Sequence, residues 1–409
     1  MSVTSEQLME AELVRLVTAG SVDDGKSTLI GRLLHDAKSL MADEVEAAGG
    51  DLARLTDGLR AEREQGITID VAYRHFATPR RRFILADCPG HEQYTRNMVT
   101  GASTAELALV LVDARHGVTD QTRRHAAVAG LLGVRHVTAC VNKMDLVGYS
   151  EDVFDAIVRD CCELAARLGL RGVTYLPISA LLGDNVVERS GRMPWYAGPA
   201  LLEHLEAVPV GGDAGEQPAR LPVQTTIRPH GSDYRGYAGQ VASGVLRVGD
   251  AVVVLPRGQR THVSAIDGPH GPLDAAVAPL SVTVRLADDV DVARGDVLAA
   301  ADGAPEPVRE IHATLCWLAE APARPGARYL VKHGTRTVRA RLEDVGERLD
   351  VATLERAPAE TLELNDIARA RLRLAEPLAV DRYAGARATG SFILLDEATN
   401  DTVAAGMAA

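Results

Sequence analysis

The chain contains a glycine-rich stretch, Gly20-Ser21-Val22-Asp23-Asp24-Gly25-Lys26-Ser27, that fits the pattern G-x-x-x-x-G-K-[ST]. It directly follows the apolar, β-prone run Leu13–Val17 and precedes a helical pattern that starts at Thr28. Between a strand and a helix, such glycines let backbone N–H groups turn toward phosphate oxygens, and the positive end of the helix adds to the attraction. Lys26 would then hold β and γ phosphate oxygens, and the Ser27 hydroxyl would ligate Mg²⁺. The pattern predicts a phosphate-binding loop, or P-loop.

Around this loop, short apolar runs alternate with amphipathic stretches of helix length as far as residue 207. The alternation is typical of βαβ units and predicts an α/β P-loop domain, with a mainly parallel sheet and helices on both faces. Ligands of such sheets bind beyond the carboxyl ends of the strands, so the turns there should carry the function. The apolar runs are Leu13–Val17, Phe83–Ala86, Leu107–Val112, His136–Val141 and Val173–Pro177.

The turn Asp87-Cys88-Pro89-Gly90 follows one of these runs. Its aspartate could hold Mg²⁺ through water, while the Gly90 N–H meets the γ-phosphate. His91 comes next, where a side chain could orient the attacking water. An Asp before Pro-Gly is often only a turn, and a lone His is usually a solvated loop residue. The placement of the motif 60 residues after Ser27 favours the functional interpretation.

The segment Gly66–Asp70 lies in a polar, charged connection. Thr68 in this segment could supply a second hydroxyl to Mg²⁺ when the γ-phosphate is present, and such a loop orders on the triphosphate and loosens on hydrolysis. Without the other motifs, the same residues would read as an ordinary strand edge.

The motif Asn142-Lys143-Met144-Asp145 follows another apolar run. A guanine edge offers N1–H and an N2 amine, and an Asp carboxylate accepts from both, which an adenine cannot satisfy. Ser179-Ala180-Leu181, after the next run, would present a backbone N–H to the guanine O6. Together with the P-loop, these motifs predict a site for GTP.

The rest of the chain predicts a different architecture. Residues 208–219 are rich in Gly, Pro and acidic residues and are typical of a linker. Beyond them, short strand-like runs with Gly/Asp turns predict two small antiparallel β-barrels. We therefore expect a nucleotide domain over residues 1–207, a barrel over 220–302 and a second barrel over 303–409.

Composition excludes several classes of protein. With 46% hydrophobic and 24% charged residues, the chain has ordinary globular usage. Its longest apolar stretch is far short of the roughly 20 residues that a membrane span needs. A net charge of -12 argues weakly against nucleic acid as a partner. The N-terminus lacks the features of a signal peptide, and five cysteines without a C-x-x-C pair favour a reducing cytoplasm.

In this order, the motifs resemble the GTP-binding set of the translation-factor class of P-loop GTPases. The loop G-S-V-D-D-G-K-S-T more specifically resembles that of the GTPase subunit of bacterial sulfate adenylyltransferase, or ATP sulfurylase. Cys88 is a departure, because that family more often has Thr there. Further segments that carry the resemblance are Ala37–Ser39, Glu62–Ile69, Gln93–Met98, Tyr234–Gly239, Ser243–Gly244, Arg382–Tyr383 and Gly390–Ile393.

The resemblance implies a chain that hydrolyses GTP while a separate catalytic subunit joins ATP and sulfate into adenosine 5'-phosphosulfate and diphosphate. It implies a heterodimer or a higher assembly of heterodimers. No second P-loop follows residue 28, so no fused adenylylsulfate kinase is expected. Two alternatives remain open: an elongation-factor-like GTPase that delivers aminoacyl-tRNA, and a nucleotide-binding protein that does not hydrolyse GTP.

The candidate site has three sets of residues. The predicted catalytic residues are Lys26, Thr68 and His91. The predicted metal ligands are Ser27, Thr68 and Asp87. The predicted nucleotide-binding residues are Gly20, Ser21, Val22, Asp23, Asp24, Gly25, Lys26, Ser27, Thr28, Asp87, Cys88, Pro89, Gly90, His91, Asn142, Lys143, Met144, Asp145, Ser179, Ala180 and Leu181.

Overall fold

A computed structural model describes residues 12–37, 70–90, 95–170, 172–210, 215–350 and 353–409. The chain divides into two compact units. The first ends at Val210 and also includes the segment Asp350–Glu355, and the second comprises the remainder.

The first unit is built on one six-stranded sheet. Its strands are β1 (Glu12–Ala19), β2 (Ala72–Ala77), β3 (Arg81–Asp87), β4 (Leu107–Asp113), β5 (His136–Asn142) and β6 (Val173–Pro177). They are ordered β2-β3-β1-β4-β5-β6, and every neighbouring pair is parallel except β2 with β3. All seven residues of β4 are buried, as expected for a strand covered on both faces. The predicted α/β P-loop fold is confirmed.

Helices connect these strands. They are α1 (Lys26–Asp36), α2 (Thr95–Ser103), α3 (Asp120–Leu131), α4 (Glu151–Leu168) and α5 (Leu201–Ala207), with a 3₁₀ helix at Met144–Val147. Helix α1 begins two residues before the predicted start, because Gly25 takes a left-handed conformation (φ 92°) and the helix follows it at once. Helix α4 begins at the Ser150 cap, whose hydroxyl accepts from the Val153 N–H, and ends at left-handed Gly169. Among the described residues, no helix is long and apolar enough to span a bilayer.

The second unit begins with a curved antiparallel sheet. Its eight strands are β7 (Arg220–Pro222), β8 (Thr225–Ile227), β9 (Gly236–Gln240), β11 (Ala251–Leu255), β12 (Gln259–Gly268), β13 (Gly271–Leu273), β15 (Ser281–Leu286) and β16 (Val297–Ala300), while β10 (Val245–Arg247) and β14 (Ala275–Val277) pair in a separate two-stranded sheet. The main path is β7-β16-β11-β12-β15-β9-β8. Backbone hydrogen bonds between Arg220 of β7 and the segment Ala242–Ser243, which follows β9, bring β7 close to the far side of this path.

A closed barrel follows in the same unit. Its elements are β17 (Pro307–Trp317), β18 (Arg328–His333), β19 (Arg336–Leu349), β20 (Arg356–Pro358), β21 (Ile367–Ala379), α6 (Arg387–Gly390), β22 (Ser391–Asp396) and β23 (Thr402–Ala408). Strands β18, β22, β23, β17, β21 and β19 pair in a ring that closes from β19 back to β18. Leu315, Val331, Leu342 and Leu372 lie in its core. The predicted antiparallel barrel is confirmed, and its prediction rested on repeated short strand-like runs with Gly/Asp turns.

A largely buried ion pair in the second unit links β7 of the larger first sheet to the segment that follows β21 of the barrel. The Arg220 guanidinium donates to both carboxylate oxygens of Asp381, each at 3.1 Å, and also to the Gly303 carbonyl. The same carboxylate accepts from the Thr389 hydroxyl at 2.7 Å. Because the Arg220 side chain is only 4% exposed, this pair is an integral part of the packing between the sheets.

Candidate nucleotide-binding site

The P-loop occupies the six residues between β1 and α1, with Val22 exposed and Ser27 and Thr28 in the first turn of the helix. The Asp24 carboxylate accepts from the Ser21 N–H at 2.5 Å and so closes the loop on itself. Burial raises the pKa of Asp24, although the Ser21 N–H and a nearby lysine act against this rise. A side chain of the loop, Asp24, therefore helps to fix the shape of the loop without a ligand.

Lys26 lies buried across the mouth of the loop. Its ammonium donates to the carbonyls of Gly20 at 2.9 Å and Ser21 at 2.8 Å. Burial lowers the pKa of this lysine, while the carboxylates of Asp87 and Asp24 act in the opposite direction. The ammonium is thus held next to the backbone of the loop, and its predicted contact with phosphate oxygens stays a prediction.

Two adjacent residues of the N-K-M-D motif are tied to two adjacent carbonyls of the P-loop. The Asn142 amide donates to the Asp24 carbonyl at 2.8 Å, and its oxygen accepts from the Ala180 N–H at 2.9 Å. The Lys143 ammonium donates to the Asp23 carbonyl. The loop after β5 therefore joins the phosphate end of the site to the loop after β6.

The predicted base-recognition residues lie beside this connection. Met144 is fully buried, and Asp145 is half-buried. Asp145 makes no hydrogen bond or ion pair within the described part of the chain, so both of its oxygens can accept. Ser179 and Ala180 are buried and already donate their N–H groups within the protein, whereas Leu181 is 63% exposed. The N–H groups of Ser179 and Ala180 are therefore occupied, and the predicted N–H contact with a guanine O6 stays a prediction that, of these three residues, falls to Leu181.

Asp87 and Gly90 lie on the other side of the P-loop. Asp87 ends β3 and is buried, and it accepts from the Thr18 hydroxyl at 3.2 Å. A Cβ at Gly90 would collide with the Lys26 ammonium and the Gly20 carbonyl. Only glycine allows the backbone to pass this close to the loop.

Cys88 is fully buried between these two residues, and its thiol packs against Gly101 of α2. Burial raises the pKa of this thiol, so it stays protonated and serves packing. Pro89 is buried as well. The predicted catalytic residues Thr68 and His91 lie outside the described residues, and their roles stay predictions.

Sequence reasoning missed two buried residues at this site. His125 of α3 accepts the Gly20 N–H on Nδ1 at 3.0 Å. Asp113, the last residue of β4, forms an ion pair with Lys143 at 2.9 Å. Neither residue belongs to a recognised motif, and each lies far from the loop in the sequence. For Asp113, the one available signal was a polar residue at the end of a buried strand.

Comparison with known proteins identifies the family. Residues 11–210 match the elongation factor Tu GTP binding domain, and residues 310–409 match the GTP-eEF1A C-terminal domain-like family. Sulfate adenylyltransferase subunit 1 of Cellvibrio japonicus is 50% identical over 97% of this chain and 86% of its own length. The chain belongs to the sulfate adenylyltransferase subunit 1 family. This confirms the predicted P-loop GTPase of the translation-factor class, in the role of an enzyme subunit.

One relative is considerably longer than this chain. The bifunctional enzyme CysN/CysC of Mycobacterium tuberculosis is 58% identical over 97% of this chain, which spans 67% of that protein. Its name joins two activities, so the expected absence of a fused kinase gains no support from this relative. Among solved structures, sup35 complexed with GMPPNP matches 98% of this chain and 94% of its own at 25% identity, with a TM-score of 0.45, too low to support an argument.

Proposed function

We propose that this chain is the GTPase subunit of a heteromeric, cytoplasmic sulfate adenylyltransferase. In this proposal it binds GTP and Mg²⁺, and hydrolysis drives a partner catalytic subunit to form adenosine 5'-phosphosulfate and diphosphate from ATP and sulfate. Relatives that bear the name subunit 1, and of which the chain covers 86%, support the existence of a partner. The mixed phosphate-sulfate anhydride is high in energy, so its formation needs an additional source of free energy.

One observation carries the nucleotide part of the proposal. Asn142 and Lys143 donate to the carbonyls of Asp24 and Asp23, and these contacts tie the N-K-M-D segment, which includes Asp145, to the P-loop that contains Lys26. A guanine edge against Asp145 would then put the phosphates of the same nucleotide along the loop. An adenine would leave the carboxylate without its two donors, which disfavours ATP at this site.

The residues at the phosphate end fit Mg²⁺. The Ser27 hydroxyl in the first turn of α1 and the Asp87 carboxylate at the end of β3 are oxygen donors, the type this ion prefers. Bound there with Thr68, the ion would neutralise charge on the β and γ phosphates. Lys26 would contribute a fixed positive charge, and the Gly90 N–H would meet the γ-phosphate. His91 would orient the attacking water.

The proposal is tested by mixing the purified chain with its catalytic subunit and measuring sulfate-dependent diphosphate release from ATP, with and without GTP. We expect GTP to increase this release. The variant His91→Ala should keep its affinity for GTP and lose GTP turnover by about 100-fold or more, because water is no longer oriented. Diphosphate release in that variant should fall to the level seen without GTP.

Two results would contradict the proposal. If GTP leaves diphosphate release unchanged while aminoacyl-tRNA protects the chain from proteolysis, the elongation-factor alternative is correct. If His91→Ala abolishes GTP binding, then His91 supports the fold of the loop and another group orients the water.

A further inference from the structure

Asp113, Arg115 and Lys143 form a compact charge cluster next to the N-K-M-D motif. The Asp113 side chain is only 3% exposed, and its Oδ2 receives the Lys143 ammonium at 2.9 Å and the Arg115 guanidinium at 2.7 Å. Its Oδ1 accepts from the Arg115 backbone N–H at 2.9 Å and from Arg115 Nε at 3.0 Å. The carboxylate is therefore surrounded by donors on both oxygens.

The position of Asp113 follows from the sheet register. Asp113 and Asn142 are parallel neighbours at the ends of β4 and β5, and the Ala114 N–H donates to the Asn142 carbonyl at 2.9 Å. Lys143 comes directly after this pair, so its side chain has the Asp113 carboxylate on one side and the P-loop on the other. Arg115 chelates the carboxylate and limits its rotation.

Lys143 also has a constrained backbone. Its φ of 65° is left-handed, a region that costs free energy for a residue with a Cβ. In this conformation the ammonium reaches the Asp23 carbonyl, and Asp23 has a left-handed φ of 69° as well. Two strained residues thus meet at one hydrogen bond, and such strain persists only where surrounding contacts stabilise it.

We propose that Asp113 is a positioning residue for guanine nucleotides: it holds the Lys143 ammonium against the Asp23 carbonyl and thereby keeps the P-loop in register with the base-recognition motif. Asp113 need not touch the nucleotide. It acts through Lys143, whose stem lies between the phosphate and base ends of the site. The inference rests on the proposed function only in taking GTP and GDP as the ligands.

The charge state of the cluster agrees with this role. Burial alone would raise the pKa of Asp113, but hydrogen bonds from Arg115 and Lys143 outweigh it and hold the pKa well below its usual range. The carboxylate is therefore ionised at every pH at which the protein is assayed, and the attraction to Lys143 is constant.

The experiment measures dissociation of a fluorescent GDP from the purified full chain for the wild type, Asp113→Asn, Lys143→Met and the double variant. Asp113→Asn keeps the size of the side chain and removes its charge. We expect it to speed GDP release about tenfold, as breaking a charge-assisted pair should. Lys143→Met should have at least this effect, and the double variant should match Lys143→Met alone, because Asp113 acts through that lysine.

A matched control is Glu206→Gln, which breaks the exposed ion pair with Arg80 (3.4 Å) in the same unit and should leave GDP release unchanged. A merely structural Asp113 would lower the thermal midpoint without changing GDP release at a temperature where the variant is folded. We also expect Asp113→Asn to raise the KM for GTP while kcat at saturation stays within about twofold of the wild type.

Unchanged GDP release in Asp113→Asn, or effects that add fully in the double variant, would overturn the inference. If Asp113→Asn does not fold, Asp113→Glu serves instead: it keeps the charge but shifts it, so GDP release should again speed up in the wild-type background and not in Lys143→Met. A wild-type chain that binds no guanine nucleotide would refute the proposed function itself, which separates the two failures.

Discussion

Replacement of His125 tests whether the P-loop depends on its hydrogen bond to a side chain of α3. His125 is fully buried in α3, and its Nδ1 accepts the N–H of Gly20, the first residue of the loop. Because Nδ1 accepts from a backbone N–H, the imidazole must be neutral with its proton on Nε2. His125→Leu removes the acceptor, whereas His125→Asn can keep an oxygen near the position of Nδ1.

The magnitude follows from the unpaired Gly20 N–H. A buried donor without a partner costs about 1–3 kcal/mol. In the free protein the loop can shift to hydrate this N–H, so the cost appears when a nucleotide holds the loop in place. We therefore expect His125→Leu to weaken GDP binding by roughly 5- to 150-fold, and His125→Asn to stay within about threefold of the wild type.

The assay is a titration of fluorescent GDP at pH 8 and pH 5. Burial, with the nearby cations Lys26 and Arg124, lowers the pKa of His125 to about 3. The imidazole is then neutral at both pH values, and protonation of His125 should not change wild-type affinity over this range. An affinity of His125→Leu within twofold of the wild type, or an NMR titration of His125 near pH 6.5, would refute the reasoning.

The same pKa predicts the pH dependence of stability. The unfolded state takes up a proton near pH 6.5, while the folded state resists it until about pH 3. The contribution of His125 to the free energy of unfolding is therefore fully present above pH 6.5. As the pH falls toward 3, the free energy of unfolding decreases by about 1.4 kcal/mol per pH unit. His125→Asn should remove this loss, and urea unfolding at pH 7 and pH 5 measures it.

Three further substitutions test the site and the fold. Asp145→Asn should shift the base preference from GTP toward xanthosine triphosphate, measured by competition binding, and an unchanged preference would mean that this carboxylate does not read the base. Gly90→Ala should reduce GTP turnover about tenfold or more, because its Cβ would collide with the Lys26 ammonium. Arg220→Met should lower the free energy of unfolding by about 3–5 kcal/mol, because it leaves the Asp381 carboxylate without its partner; a loss below 1 kcal/mol would contradict this.

Much of the fold was predictable because its signals are local. The apolar runs that end before the P-loop, Asp87 and Asn142 all lie in strands of one sheet, and the strand Val173–Pro177 has the predicted bounds. The helix after the P-loop begins at Lys26 rather than Thr28, because helical periodicity of side chains becomes visible only after the first turn. The other strands that match these runs extend beyond them by one or two residues at one or both ends, because backbone pairing continues past the apolar side chains.

The site was predictable only in its motif residues. Lys26 lies in the P-loop, and Asn142 and Lys143 contact it, but the roles predicted for them toward the nucleotide stay predictions, as do those of Thr68 and His91, which fall outside the described residues. Asp113 and His125 were not predicted, because a single Asp or His outside a motif more often has another role than contact with a loop.

The amino-acid sequence by itself determined the order of the motifs, which predict a loop for phosphate, a carboxylate for Mg²⁺ and an aspartate for guanine. Each of these signals lies within a few consecutive residues, where glycine, lysine or aspartate can be recognised by type and spacing. Only the tertiary structure decided how the loop is held in place. Asp24 and Asn142 are 118 residues apart and meet because parallel strands bring their carboxyl ends to one edge of the sheet. Gly20 and His125 are 105 residues apart and meet because α3 packs against β4, the neighbour of the strand that leads into the loop.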